Sequence, residues 1–132
     1  FRTMILNSSR KNKQINLEDP EITFIGKILR RYKLDELPQL LNVIKGDMSF
    51  IGPRPILEET YNSLPKWALK RFYLKPGLTG LAQVNGNIFI SWEKRWAYDC
   101  EYVKNYSFLL DLKVVFKTIL IIIIGEKYFK KN

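Results

Sequence analysis

The chain contains no histidine and one cysteine, Cys100. Without histidine there is no His general base, no His-ligated zinc and no Ser-His triad, so chemistry falls to carboxylates, lysine, tyrosine and one thiol. A lone cysteine excludes an intrachain disulfide and fits a reducing compartment. Cys100 follows Tyr98-Asp99 in a helical pattern with nothing to activate it, so its expected role is packing. No signal-peptide pattern is visible. No uncharged apolar run approaches the ~18 residues that would span a bilayer. The longest lies near Ile119 to Ile124, and Lys113 and Lys117 interrupt what precedes it. Internal repeats and low-complexity linkers are absent too. Acidic residues are scarce, 13 against 22 Lys and Arg, and the net charge of +9 selects anionic partners: phosphates, acidic lipid headgroups or nucleic acid. No RRM, KH or zinc-finger pattern supports nucleic acid, which is not an expected partner. With 132 residues, 46 % of them hydrophobic, the chain is expected to form one domain with a real core.

One stretch organises the rest. Leu34-Asp35-Glu36-Leu37-Pro38 opens with adjacent carboxylates, Leu40 to Ile44 is apolar, and Gly52-Pro53-Arg54-Pro55 follows one short helix later. Asp35 and Glu36 fall at a helix start, where unpaired N–H groups and the helix dipole favour anions. Pro38 fits the same first turn. Leu37, Leu40, Leu41 and Ile44 keep helical spacing, which predicts one buried face with the carboxylates at its rim, and Gly46 is the expected stop. An Asp-Glu pair of this kind is ordinarily just helix-start acid. Here Arg30, Arg31 and Lys33 precede it and Arg54 follows. Carboxylates among fixed cations suit Mg²⁺ and a phosphate ester.

These residues also carry a resemblance. Leu-Asp-Glu-Leu-Pro-Gln-Leu (34–40), Lys-Gly-Asp-Met-Ser (45–49) and Gly-Pro-Arg-Pro (52–55) resemble the bacterial sugar transferases, the monotopic phosphoglycosyl transferases that load a sugar phosphate onto polyprenyl phosphate. Lys75 to Gly86, Ser91-Trp92-Glu93, Tyr106-Ser107 and Asp111-Leu112-Lys113 continue it over nearly the whole chain. The resemblance implies that residues 1–132 are the C-terminal part of a catalytic domain whose re-entrant membrane helix and first segment precede Phe1. It implies a UDP-sugar donor, a polyprenyl (undecaprenyl) phosphate acceptor, UMP release and the first membrane step of polysaccharide or glycoconjugate assembly. Asp35 would be the nucleophile on the sugar-side phosphorus, forming a covalent aspartyl-phosphosugar. Glu36 would be the second catalytic acid and the metal ligand, holding Mg²⁺. Arg54, framed by Pro53 and Pro55, would bind the nucleotide end, with Arg30 a second phosphate contact. The implied location is the cytoplasmic face of the bacterial inner membrane, against an anionic membrane surface; a homodimer is left open. Glu21 and Lys33 depart from the family pattern, where a basic residue and a Ser or Thr cap are commoner.

The remaining expectations are local. Asn7 to Gln14 is a polar, basic loop. Asp19-Pro20 or Thr23 starts a helix with Ile22, Ile25, Ile28 and Leu29 on its apolar face. Leu57 to Tyr73 forms two short helices broken near Pro65, with Leu69, Phe72 and Tyr73 on one side and Lys70, Arg71 and Lys75 towards the other. Trp67 lies among them, which suits either a membrane surface or a solvated basic face. Leu74 to Asn87 is a structured loop or small hairpin. Ser91 caps a helix to about Lys104, and Ser107 one to about Ile124 that Gly125 ends. That last helix is apolar nearly all round, implying burial or membrane contact. Asp99 and Asp111 are weaker acidic candidates with helix-surface or capping alternatives. The expected fold is α+β and mostly helical: a single compact, membrane-associated domain with short surface helices and a small β/loop region. Two other functions share the composition: a Mg²⁺-dependent phosphohydrolase, with water as acceptor, and a non-catalytic basic module for membrane surfaces.

Overall fold

The computed structural model describes residues 22–31 and 34–125. Arg2, the Asn7–Gln14 loop, Asp19-Pro20, Glu21, Lys33 and the charged tail from Glu126 lie outside the described residues. Helix α1 (Phe24–Arg31) starts where Thr23 offers its hydroxyl to the Gly26 N–H at 3.0 Å. A 3₁₀ segment, Leu34–Gln39, leads into α2 (Leu40–Ile44), β1 (Ser49–Ile51) and α3 (Glu58–Tyr61). A second 3₁₀ helix, Lys66–Tyr73, precedes β2 (Gly77–Thr79) and α4 (Leu81–Val84). After a 3₁₀ turn at Asn87–Phe89 come the two long helices, α5 (Trp92–Asn105) and α6 (Phe108–Ile124). The result is mostly helical around one small sheet, as the composition and punctuation imply. No described helix is long and apolar enough to cross a membrane.

Local chemistry accounts for the helix ends. Ser91 accepts from the Lys94 N–H and Ser107 from the Leu110 N–H, each at 3.3 Å. Gly125 (φ +92°) closes α6 and Gly46 (φ +82°) closes α2, both in the left-handed region that favours glycine. Lys75 Nζ adds a bond to the Gly46 carbonyl at 2.6 Å.

Four expectations need correction. The acidic stretch does not open an α-helix: it winds as 3₁₀ through Pro38, which lacks the N–H that an α-type bond would use. Its apolar face is not buried, since Leu37 is 48 %, Leu41 60 % and Ile44 81 % exposed. Periodicity shows that a face is apolar, not what lies over it, and α1 beside it leaves Ile25 and Ile28 exposed as well. Gly77–Thr79 forms no hairpin; it pairs in parallel with β1, Ser49 opposite Gly77 and Ile51 opposite Thr79. Finally, Arg71 does not join a solvated basic side and Asp99 is not on a helix surface: each is 2 % exposed.

The sheet rests on α6. Val114 and Ile121 pack with Val84 from α4, and Ile51 and Leu81 close the cluster. Thr118 donates to the Val114 carbonyl or shares a 2.8 Å bond with Thr79, tying α6 to β2. Helix α5 packs against the Lys66–Tyr73 helix and α4, burying Trp96, Tyr102 and Ala68. Tyr102 donates to Asp111 Oδ1 at 2.6 Å, linking α5 to the first turn of α6. Cys100 sits half-buried with its thiol facing the Trp67 and Ala68 carbonyls, and burial pushes the thiol pKa up, so packing is its role.

The turn after β1 lies against β2 at backbone distance. A Cβ on Gly77 would fall 2.1 Å from the Gly52 nitrogen, and one on Gly80 would fall 2.1 Å from the Gly52 oxygen. Both obstacles are main chain, so neither can move aside cheaply. Gly77→Ala should therefore lower stability by roughly 1–3 kcal/mol through overpacking, read as a fall in the thermal unfolding midpoint. An unchanged midpoint would show that the contact opens without cost.

Candidate active site

Asp35 and Glu36 stand in the first turn of the Leu34–Gln39 segment. Two arginines from other elements reach them. Arg54 Nη2, from the turn after β1, donates to Glu36 Oε1 at 2.8 Å. Arg30 Nε, from the end of α1, stands 4.0 Å from Asp35 Oδ2, at the outer limit of an ion pair. Asp35 Oδ1 is buried and has no hydrogen-bond partner. Adjacent carboxylates thus have unequal surroundings: one is held by a guanidinium, the other keeps an oxygen in reserve. The structure brings Asp35, Glu36, Arg30 and Arg54 together. Pro53 is buried beside them, Pro55 is exposed, and Asp111 stays with Tyr102.

Glu36 and Arg54 border a cavity of about 380 Å³ between the Leu34–Ile44 stretch, the two strands and α6. Its walls are largely apolar, with Leu37, Phe50, Leu78, Val115 and Ile119 among them. The polar groups besides the charged pair are few: Thr79, Gln83, Asn87 and Thr118. Both carboxamide atoms of Gln83 are buried without a partner. An apolar chamber with charge at one edge fits an amphiphile with an anionic head.

Behind Arg54 lies a layer whose arrangement sequence reading missed: it named Asp99 only as a weaker acidic candidate, set Arg71 on a basic helix side and left Arg95 out. Arg71, from the Lys66–Tyr73 helix, donates through Nη2 to the Arg54 carbonyl at 2.6 Å and to Asp99 Oδ2 at 2.6 Å, with Nε also on Oδ2 at 3.1 Å. Arg95 stacks over Trp92 at 4.5 Å and donates to the Ile90 carbonyl at 3.2 Å, while its Nε is buried without a partner. Burial lowers the Arg95 pKa, and the facing Arg54 guanidinium adds to that. A second cation therefore stands within electrostatic reach of Arg54. No local signal marks these residues: Arg71 and Asp99 are far apart in sequence and each sits in an ordinary polar helical position.

At the acidic pair the side-chain ligands for a metal are carboxylate oxygens, and no group of three or more His, Cys, Asp or Glu comes together among the described residues. Mg²⁺ is commonly held by one or two carboxylates, with waters and substrate phosphates completing its shell. Glu36, with the unpartnered oxygen of Asp35 beside it, fits that pattern once a phosphorylated substrate supplies the rest.

Geometry thus brings an acidic pair together with two arginines, Glu36 and Arg54 at the edge of an apolar chamber, on a small helical domain. Residues 1–125 match the bacterial sugar transferase family, and the chain belongs to it. It is 42 % identical, over its whole length, to the uncharacterized sugar transferase EpsL of Bacillus subtilis, spanning 65 % of that protein. It is 50 % identical over 77 % of its length to the exopolysaccharide production protein ExoY of Sinorhizobium fredii, spanning 45 % of it. With the UDP-glucose:undecaprenyl-phosphate glucose-1-phosphate transferase of Escherichia coli it shares 40 % identity over 90 % of its length, spanning 28 % of that protein. The chain therefore spans about two thirds or less of these relatives.

Asp99 carries a pH signature. Burial pushes its carboxyl up to about 6, against the opposing pull of Arg71 and Arg95. The native state then holds a proton between about pH 6 and the ordinary carboxylate range that the unfolded chain has lost. Ionised Asp99 thus works against folding above about pH 6, and this cost is relieved as pH falls through that value. In thermal unfolding, the stability of wild type relative to Asp99→Asn should rise as pH is lowered from 7 to 5. A constant difference would contradict the raised pKa.

Proposed function

We propose that this chain is the catalytic part of a UDP-sugar:polyprenyl-phosphate sugar-1-phosphate transferase that releases UMP. One observation carries the reading: three separate elements gather two carboxylates and two arginines, with Glu36 and Arg54 at the edge of an apolar chamber. The relatives' names, with UDP-glucose and undecaprenyl phosphate among their substrates, supply the donor and acceptor classes. A lipid acceptor suits the apolar walls better than the water that a phosphohydrolase would use.

In the first step an Asp35 oxygen attacks the sugar-side phosphorus. An aspartyl O–P bond forms, the anhydride P–O bond breaks, and its electron pair leaves on UMP. In the second step a phosphate oxygen of the polyprenyl phosphate attacks the same phosphorus and displaces Asp35, giving polyprenyl-diphosphate-sugar. Neither step needs a proton shuttle, which agrees with a chain that has no histidine. Arg54 and Arg30 bind and orient the diphosphate, Arg54 through a planar fork of donors. Glu36 would hold Mg²⁺, which when bound supplies charge neutralisation at the diphosphate.

The site works at a membrane surface under this reading. Trp67, Phe72 and Tyr73 are exposed beside Lys66 and Lys70, and α6 exposes Phe108, Leu109 and Phe116. Aromatic and basic groups together suit anionic headgroups. A nucleotide-sugar donor places the reaction on the cytoplasmic face of the bacterial inner membrane.

Two measurements test the proposal on the full-length protein. After mixing with UDP-sugar and no lipid, intact-protein mass spectrometry should find an adduct of sugar-phosphate mass on wild type and none on Asp35→Asn. Transfer to added lipid phosphate without any adduct under single-turnover conditions would replace the covalent route by direct displacement, and UDP as the product would exclude the reaction class. Arg54→Lys keeps the charge but loses the fork, at roughly 1.5–3 kcal/mol for a charge-assisted bond. Its KM for UDP-sugar should rise about 10- to 100-fold, and unchanged kinetics would remove Arg54 from substrate binding.

A further inference from the structure

We propose that the buried Arg71–Asp99 pair is a positioning device for Arg54: it fixes the main chain from which the substrate-binding guanidinium projects, and so serves donor binding more than fold stability. The inference rests on Arg54 contacting the donor, as proposed above.

The geometry is a continuous line of polar contacts. Asp99 on α5 takes two guanidinium donors of Arg71, at 2.6 and 3.1 Å. The same Nη2 of Arg71 reaches the Arg54 carbonyl at 2.6 Å, and the Arg54 side chain reaches Glu36 at 2.8 Å. Arg71 thus couples α5 to the turn after β1, and through it to the acidic pair. Two successive carbonyls of this turn are anchored from different sides. The Gly77 N–H of β2 donates to the Pro53 carbonyl at 2.9 Å, and Arg71 donates to that of Arg54. Pro53 and Pro55 fix φ on either side of Arg54, and Pro55 also confines Arg54 to the extended region, so its carbonyl has a narrow range of directions. Arg71 holds that carbonyl at one direction within the range.

As a stabiliser of the fold the pair is poorly built. Two buried charges bear a desolvation cost, and apolar residues of similar size are often as stable or more so. Asp99 Oδ1 is buried with no partner, and Arg95, which also faces Asp99, directs its own bond to Ile90. Arg71 meets no other carboxylate than Asp99 in the described contacts, and its guanidinium carbon stands 5.5 Å from the centroid of the Phe72 ring. An apolar pair could fill this space; it could not hold a carbonyl.

The decisive variant is Arg71→Met with Asp99→Leu, made in the full-length protein. Its unfolding midpoint should match or exceed that of wild type. Hydrogen exchange in the segment 50–57 should quicken while α5 stays protected, because the turn has lost one of its two anchors. The KM for UDP-sugar in UMP release should rise about 10- to 100-fold, the cost of one misplaced charge-assisted contact, with kcat changed less. In an Arg54→Lys background the same swap should add little, since both changes act through one contact. Should the swap fail to fold, Arg71→Lys decides: the lysine chain is one atom shorter, so its ammonium keeps a charge for Asp99 but stops short of the Nη2 position that reaches the Arg54 carbonyl, and the same quickened exchange and raised KM are expected. A folded variant with unchanged exchange in 50–57 and unchanged donor KM would overturn the proposal. If wild type releases no UMP from any UDP-sugar with polyprenyl phosphate, the donor reading of Arg54 falls, and the exchange measurement still decides whether the pair fixes the turn.

Discussion

The turn that carries Arg54 is pressed against β2 at a separation only glycine allows, and the site is assembled around that contact. Gly52, Gly77 and Gly80 have no side chains to hold the chains apart, so Gly52 N–H reaches the Thr79 carbonyl at 2.9 Å and Gly77 N–H the Pro53 carbonyl. Each strand has three residues, and a two-stranded sheet of this size is marginal alone. Stability comes from behind it, where Val114 and Ile121 of α6 meet Val84 and Ile51. Position at the site is therefore set by main-chain contact, and its energy by a helix whose own residues carry none of the chemistry.

Elements governed by local chemistry were legible in the sequence. Thr23, Ser91 and Ser107 act as caps because a hydroxyl meets an N–H three residues on, and Gly46 and Gly125 end helices because the stop requires positive φ. The gathering of Asp35, Glu36, Arg30 and Arg54 was legible too, since three of the four lie close together between positions 30 and 36 and the fourth sits in a proline-framed motif. What depended on long-range pairing was not. Parallel register between Ser49 and Gly77 joins segments separated by a helix and a 3₁₀ helix, and nothing in Gly77-Leu78-Thr79 distinguishes it from a hairpin arm. Arg71 and Asp99 each look like surface charge; only the packing of α5 on the Lys66–Tyr73 helix turns them into a buried pair.

The largest departure from expectation concerns apolar surface. Phe24, Ile25, Leu41, Ile44 and Phe50 are each more than half exposed around the acidic pair, and Phe108, Leu109 and Phe116 are exposed on α6. Single exposed side chains are normal, but contiguous patches beyond a few hundred Å² mark interaction surfaces. At about 25 cal/mol per Å², covering a few hundred Å² is a contribution of several kcal/mol, comparable with the net stability of a small domain. Under the proposed reading an anionic membrane surface would be that cover, which a net charge of +9 suits.

Adjacent carboxylates on one short turn need different environments if they are to do different work, and here the difference comes from backbone geometry. Successive residues of a 3₁₀ segment point about 120° apart, at three residues per turn. Glu36 is thereby aimed at Arg54 and the chamber, while Asp35 is aimed towards α1 and Arg30. The 2.8 Å bond to Arg54 satisfies one oxygen of Glu36, whereas Asp35 keeps Oδ1 buried and unpartnered. A diphosphate arriving at Arg54 competes with Glu36 for the same donors. Under the proposed reading that competition has a use: with the guanidinium turned to phosphate, the Glu36 carboxylate would be free to hold a cation. On the same reading Asp35, not bonded to Arg54, would supply the oxygen left for bond formation.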